Sequence, residues 1–203
     1  MENMPVKPQT QSPRRKSASP RTQLDRGNWI ESAIDVLARE GVAGLRVEVL
    51  AKRCGVTKGS FYWHFKDRQD LLAAILEHWR VGRIRDIEKV TTVPPGNERD
   101  QLHFAVEVYG ASRNRKGMSI ELAIRDWARH DLQAAAVVEA VDLYRLECTR
   151  KLFVAAGMSD AEAKSRSLLL YACVFGLSLM HYTHFDDNLD DLKQRIADRI
   201  ISA

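Results

Sequence analysis

Between Leu45 and Leu72 the chain reads LRVEVLAKRCGVTKGSFYWHFKDRQDLL. Lys58, Ser60, Tyr62, Trp63 and His64 crowd ammonium, hydroxyl, phenol, indole and imidazole groups into seven positions. Side chains of this kind hydrogen-bond to phosphate oxygens and base edges, provided they stand out from a packed support. The interleaved apolar residues supply that support: Val49, Leu50, Val56, Phe61 and Phe65 are expected to form a small core beneath them. Gly55 permits the positive φ that ends a helix, and Ala51 is small where two helices should cross closely. Thr57 and Asp67 are each placed to cap a following helix by accepting a bond from an orphan amide. Asp70 adds negative charge in the first turn of the second of these. The segment Val47 to His64 therefore reads as helix, tight turn, short second helix. Lys58, Ser60, Tyr62, Trp63 and His64 fall on the exposed face of that second helix, as in a recognition helix that enters a major groove.

The elements around this segment are also helical, and the fold class is all-α. Ile30, Ala33, Ile34 and Leu37 recur at the helical period before Gly41. A long helix runs from Asp67 to about Lys89, and Pro94-Pro95-Gly96 breaks the chain. Leu102, Val106 and Tyr109 share a face, Arg113 to Gly117 reads as a loop, and Ile120, Ile124 and Trp127 follow. Val137, Val141 and Tyr144 belong to a long segment ended by Gly157. Ser159 and Glu162 have capping-box spacing for the next helix, and a last helix begins near Asn188. No period-2 strand pattern is present. Three segments result: 1–23, a Pro-, Ser- and Arg-rich arm expected to be disordered; 24–89, the helix-turn-helix unit with its linking helix; and 90–203, a second helical unit.

Charge follows the same division. Up to Lys89 there are 17 Lys/Arg against 11 Asp/Glu, and after it 14 against 16. A basic front on a slightly acidic body points to a polyanion partner for the front alone. Three scattered cysteines, Cys54, Cys148 and Cys173, without a C-x-x-C pair, suit a reducing cytoplasm rather than a disulfide framework or zinc finger. The apolar run Ser167 to Met180 is too short to span a bilayer, and no signal-peptide pattern is present, so no membrane partner is expected. His181 and His184, near Asp186 and Asp187, have a metal-compatible spacing, as does His130 beside Asp131. A solvated helix end explains both as well, and neither metal nor cofactor is expected. No Gly-rich phosphate loop, nucleophile elbow or H-E-x-x-H occurs, so the chain is not expected to be an enzyme.

The helix expected from about Asp160 to His184 is apolar on two sides. Leu168, Tyr171, Phe175 and Leu179 form one, and Leu170, Cys173, Val174 and Leu177 the other. Both sides need cover. The first is expected to pack within the chain, and the second against a second copy in a two-fold homodimer.

The run Gly-Val-Thr-Lys-Gly-Ser-Phe-Tyr-Trp-His-Phe-Lys-Asp, followed by Leu71-Leu72, resembles the signature of the tetracycline-repressor (TetR) family. The resemblance covers about Trp29 to Glu77. It implies a dimeric regulator of transcription, a repressor that binds a pseudo-palindromic site in double-stranded DNA and is released from it by a small-molecule effector. It also implies roles by position. Thr57, Lys58, Gly59 and Ser60 would approach base edges and neighbouring phosphates, Gly59 because it lacks a side chain. Tyr62 and His64 would bond phosphates, and Trp63 the sugar-phosphate wall or a thymine methyl. Lys66 and Arg68 would add phosphate contacts at the start of the next helix. Arg46 departs from the pattern, since the family often has a small hydroxyl cap there; arginine cannot cap but can reach a phosphate. The resemblance further implies a ligand cavity in the second half, whose walls are expected from Val106, Tyr109, Ile124, Trp127, Val141, Tyr144, Tyr171 and Phe175. Such walls suit an apolar or aromatic effector with a few polar groups. Two alternatives need no effector: control by a protein partner, and architectural DNA binding.

Overall fold

The structure, a computed structural model, describes residues 24–92, 94, 96–110 and 115–202, without the side chains of 106–110 and 115. All regular structure among these residues is helical. Helix α1, Arg26–Glu40, is opened by a reciprocal capping box: the Asn28 amide donates to Asp25 at 2.7 Å and the Asp25 amide to Asn28 at 3.3 Å. Trp29, Ile30, Ala33, Ile34, Val36 and Leu37 are its buried face, and Gly41 ends it at φ 67°.

A single 3-10 turn, Val42–Gly44, leads to α2, Val47–Arg53. The end of α2 explains the tight turn. Gly55, at φ 68°, donates to the Lys52 carbonyl and Val56 to the Ala51 carbonyl, the paired bonds of a Schellman motif. Helix α3 is only Lys58–Phe61, so Tyr62, Trp63 and His64 lie in the turns that follow it rather than on the helix. Thr57 precedes α3 in extended conformation, but its hydroxyl makes no capping bond. Asp67 does cap α4, Arg68–Thr91, accepting from the Asp70 amide at 2.9 Å. The apolar support differs from expectation: Val47 is buried with Leu50, Phe61 and Phe65, Val56 is half-buried against them, and Val49 is half-buried outside that core.

The second half contains α5, Glu98–Gly110, α6, Arg115–Ala128, α7, Leu132–Ala155, α8, Asp160–Leu179, and α9, Leu189–Ile201. Arg115, Lys116 and Gly117 are helical, not loop; Pro94 and Gly96 interrupt the chain as expected, while 111–114 and the arm 1–23 lie outside the described residues. Ser159 accepts from the Glu162 amide, but the Glu162 carboxylate turns to Arg166 at 2.6 Å, so only half of the capping box forms. Helix α8 stops at Leu179, five residues short of His184.

One apolar core runs from α1, α2, α3 and α4 into Ile124, Trp127, Ala134, Val138 and Val141 of α6 and α7. Helix α6 thus rests on α1, with Lys116 also paired to Asp35 at 2.9 Å. A second core gathers Leu102, Leu152, Phe153, Leu170, Val174, Ile200 and Ile201. That second core corrects the expected dimer face. Leu170 and Val174 are buried within the chain, with half-buried Cys173 packed against them, because α5 and α9 cover this side of α8. Leu177 is half-buried as well. The uncovered apolar side carries Leu168, Leu169 and Leu179, beside Leu143 of α7.

Candidate nucleic-acid interface

The support for the donor cluster is aromatic. Trp29 meets Phe61 edge-on at 5.5 Å, and Phe61 stacks on Phe65 at 5.2 Å, with the Arg26 guanidinium 4.7 Å over Phe65. With Phe61 and Phe65 turned inward, the residues between them must turn outward. Trp63 is 85% exposed and Tyr62 53%. Indole and phenol rings left in water lose the burial that usually holds them, which marks a surface meant to meet a partner. Thr57, Lys58, Gly59 and Lys66 are exposed on the same unit, and Ser60 and His64 half-exposed. Arg46, directly before α2, is exposed and makes no capping bond.

Two of the expected phosphate ligands are already engaged. The Lys58 ammonium donates to Glu48 at 2.5 Å. That bond holds the Glu48 carboxyl below its ordinary range and raises Lys58. Both groups are exposed, so a phosphate can compete for Lys58. Arg68 departs further from its expected role. Its Nε donates to the Leu45 carbonyl at 2.7 Å and its Nη2 to the Val42 carbonyl at 2.8 Å, half-buried. It fastens the start of α4 to the strand of backbone that enters α2. No local pattern announces this contact, since the partners lie 23 and 26 residues away.

Gly59 carries a clear signal of its own. A Cβ built there meets only the Thr57 hydroxyl oxygen at 3.7 Å, an ordinary contact. Internal packing therefore does not require glycine at this exposed helical position.

The expected effector walls divide. Ile124, Trp127 and Val141 belong to the apolar core that α6 and α7 share with the first four helices, and the side chains of Val106 and Tyr109 lie outside the described residues. Tyr144 donates to Glu88 of α4 at 2.8 Å. Tyr171 and Phe175 instead meet Arg145 and Arg125, two residues that sequence reading missed. A signal was present: Glu121 and Arg145 occupy the buried register of helices otherwise marked by Ile124 and Val141. Among the described residues no group of His, Cys, Asp and Glu could hold a metal ion, and no helix is long and apolar enough to cross a membrane.

Comparison with known proteins places this geometry. Residues 30–75 match the family described as bacterial regulatory proteins, tetR family. The chain is 27% identical over 194 residues to the HTH-type transcriptional regulator AcrR of Shigella flexneri, covering 88% of this chain and 86% of that one. It is 41% identical over 56 residues to the class A tetracycline repressor protein from transposon 1721 of Escherichia coli, spanning 28% of this chain and only 26% of the repressor. A transcriptional regulator from Saccharomonospora viridis, solved in complex with choline, superposes with a TM-score of 0.71 at 17% identity, over 87% of this chain and 94% of that one. The matched residues 30–75 include the exposed donor cluster and the Phe61–Phe65 stack beneath it, so this segment is similar to the bacterial regulatory proteins of the tetR family, and the chain as a whole is similar to the AcrR regulator along most of its length.

Proposed function

We propose that the chain is a transcriptional regulator that binds a two-fold-symmetric DNA site as a homodimer and is released from it by a small molecule. The observation that carries the DNA-binding part is the exposed set Lys58, Tyr62, Trp63 and Lys66, with half-exposed His64, around Gly59, mounted on a buried aromatic stack. Tyr62, His64 and Lys66 would fix register on phosphates, while Lys58 and Ser60 approach base edges.

Dimerisation is proposed through the uncovered side of α8. A groove of about 290 Å³ between α7 and α8 is lined by Leu143, Leu146 and Leu168, with Glu147, Arg150 and Lys164 around it. A face that combines exposed leucines with charges of both signs suits self-complementary pairing about a two-fold axis. Release by a small molecule is supported by the solved Saccharomonospora regulator, which holds choline, and by the packing of α6 on α1.

Fluorescence anisotropy of a labelled duplex, titrated at several salt concentrations, tests the DNA contacts. Tyr62→Phe and Lys66→Ala should weaken binding to all sequences alike, and Lys66→Ala should lower the salt slope by about 1. Unchanged affinity and slope in both variants would remove this surface from the interface.

A further inference from the structure

Glu121 and Arg125 of α6 and Asp142 and Arg145 of α7 form a charge cluster inside the second half. Arg125 donates to Glu121 Oε1 from Nε at 3.0 Å and Nη2 at 2.8 Å, and to the two Asp142 oxygens at 2.6 and 2.8 Å. Arg145 Nη1 reaches Glu121 at 3.3 Å and Asp142 at 3.1 Å. Helix α8 closes the cluster with Phe175, whose ring lies 4.1 Å from the Arg125 guanidinium. Glu121 is 2% exposed and Arg145 3%. Yet Glu121 Oε2 and Arg145 Nε, both buried, have no hydrogen-bond partner among the described residues. One acceptor and one donor of the same ion pair are left open, an arrangement buried groups avoid unless something else satisfies them.

The cluster borders a groove through its outer members, with Glu121 and Arg145 buried behind them. Those outer members, Arg125 and Asp142, form part of the wall of the groove, which holds about 380 Å³ between α6 and α7. The apolar part of that wall is Ala128, Ala135, Val138 and Leu143, the last shared with the groove between α7 and α8.

We propose that groove and cluster together bind a small molecule with a flat apolar body and a neutral head bearing one hydrogen-bond donor and one acceptor, a carboxamide being the simplest. Two arginines and two carboxylates already balance, so a charged head would strand one buried partner, which is costly. A neutral head leaves every ion pair in place. Its N–H bonds Glu121 Oε2 and its carbonyl accepts from Arg145 Nε. Because α6 rests on α1, an occupant that displaces α6 also moves the DNA-binding helices. That regulatory consequence rests on the function proposed above, whereas the binding does not.

Three probes of nearly one shape separate the possibilities: benzamide, benzamidinium and benzoate, titrated into the full chain by calorimetry. Benzamide should bind at least tenfold more tightly than either charged isostere. Ala135→Leu, which fills the groove without touching the cluster, should weaken benzamide at least tenfold. Glu121→Gln removes one negative charge and should reverse the order, so that benzoate becomes the preferred probe. Equal or tighter binding of a charged probe to the unaltered chain, no binding of any of the three, or benzamide binding unaffected by Ala135→Leu would each overturn the site. Adding benzamide to the protein on a duplex it binds reads regulation separately. A duplex retained while benzamide occupies the free chain contradicts effector release and leaves the site standing.

Discussion

Gly59 lies in the exposed first turn of α3 with room for a methyl group, so its cost and its use separate cleanly. A glycine inside a helix is destabilising by roughly 0.5–1 kcal/mol relative to alanine. Gly59→Ala should therefore raise thermal stability slightly while weakening DNA binding, because the added methyl stands where the helix must approach the duplex. Melting curves and anisotropy on the same preparation check both signs; an alanine variant that binds as well would mean the position is merely tolerant. Glu48 makes the opposite case. It holds Lys58 in an exposed ion pair, and Glu48→Gln should strengthen DNA binding and steepen its salt dependence by freeing that cation. Arg68 was legible as a basic residue near a helix start, but not as a clamp on the Leu45 and Val42 carbonyls, because chain distance hides those partners. Arg68→Ala should destabilise the fold by about 2 kcal/mol, the worth of a lost pair of charge-assisted bonds. It should also lower DNA affinity without altering the salt slope, the behaviour that separates a positioning residue from a phosphate ligand.

At the scale of elements, α4 is the member that touches both ends of the molecule. Its first residue holds the backbone before α2, and near its last turn Glu88 accepts the Tyr144 hydroxyl from α7. That hydrogen bond favours the protonated phenol and pushes Tyr144 from its usual 10.0 up to about 12. A pKa raised on folding means that the bond's contribution is fully present below pH 10.0 and is lost as pH rises through about 12. Tyr144→Phe should remove that component of the alkaline fall in stability, seen as a shallower loss of Tm between those two pH values; an identical fall would mean the bond carries no linkage. Helix α4 was readable almost to its ends, since Asp67 caps it and its apolar positions keep the helical period. The sides of α8 were not readable. Leu170 and Leu168 are the same residue type, and the positions of α5, α7 and α9 decide which of them is covered.

For the whole molecule, the sign of charge and the position of uncovered leucines lead to one arrangement. The basic front carries the donor cluster and the acidic body carries the apolar face of α8, so pairing two bodies would present two fronts to one duplex. Leu168→Glu together with Leu169→Glu should give a folded monomer in sedimentation, since both leucines face solvent in the single chain. Leu170→Glu should unfold it instead, costing on the order of 4 kcal/mol or more for a charge placed in the core. Dimers persisting in the double variant would place the two-fold elsewhere. The most direct measurement is selection of bound sequences from random duplex DNA by the purified chain, followed by affinity titration of the enriched site. A pseudo-palindrome with half-sites about one helical turn or more apart, bound with a Kd on the order of nanomolar, is the predicted result. No enrichment, with only weak and salt-sensitive binding to every duplex, would contradict a dimeric, sequence-reading regulator.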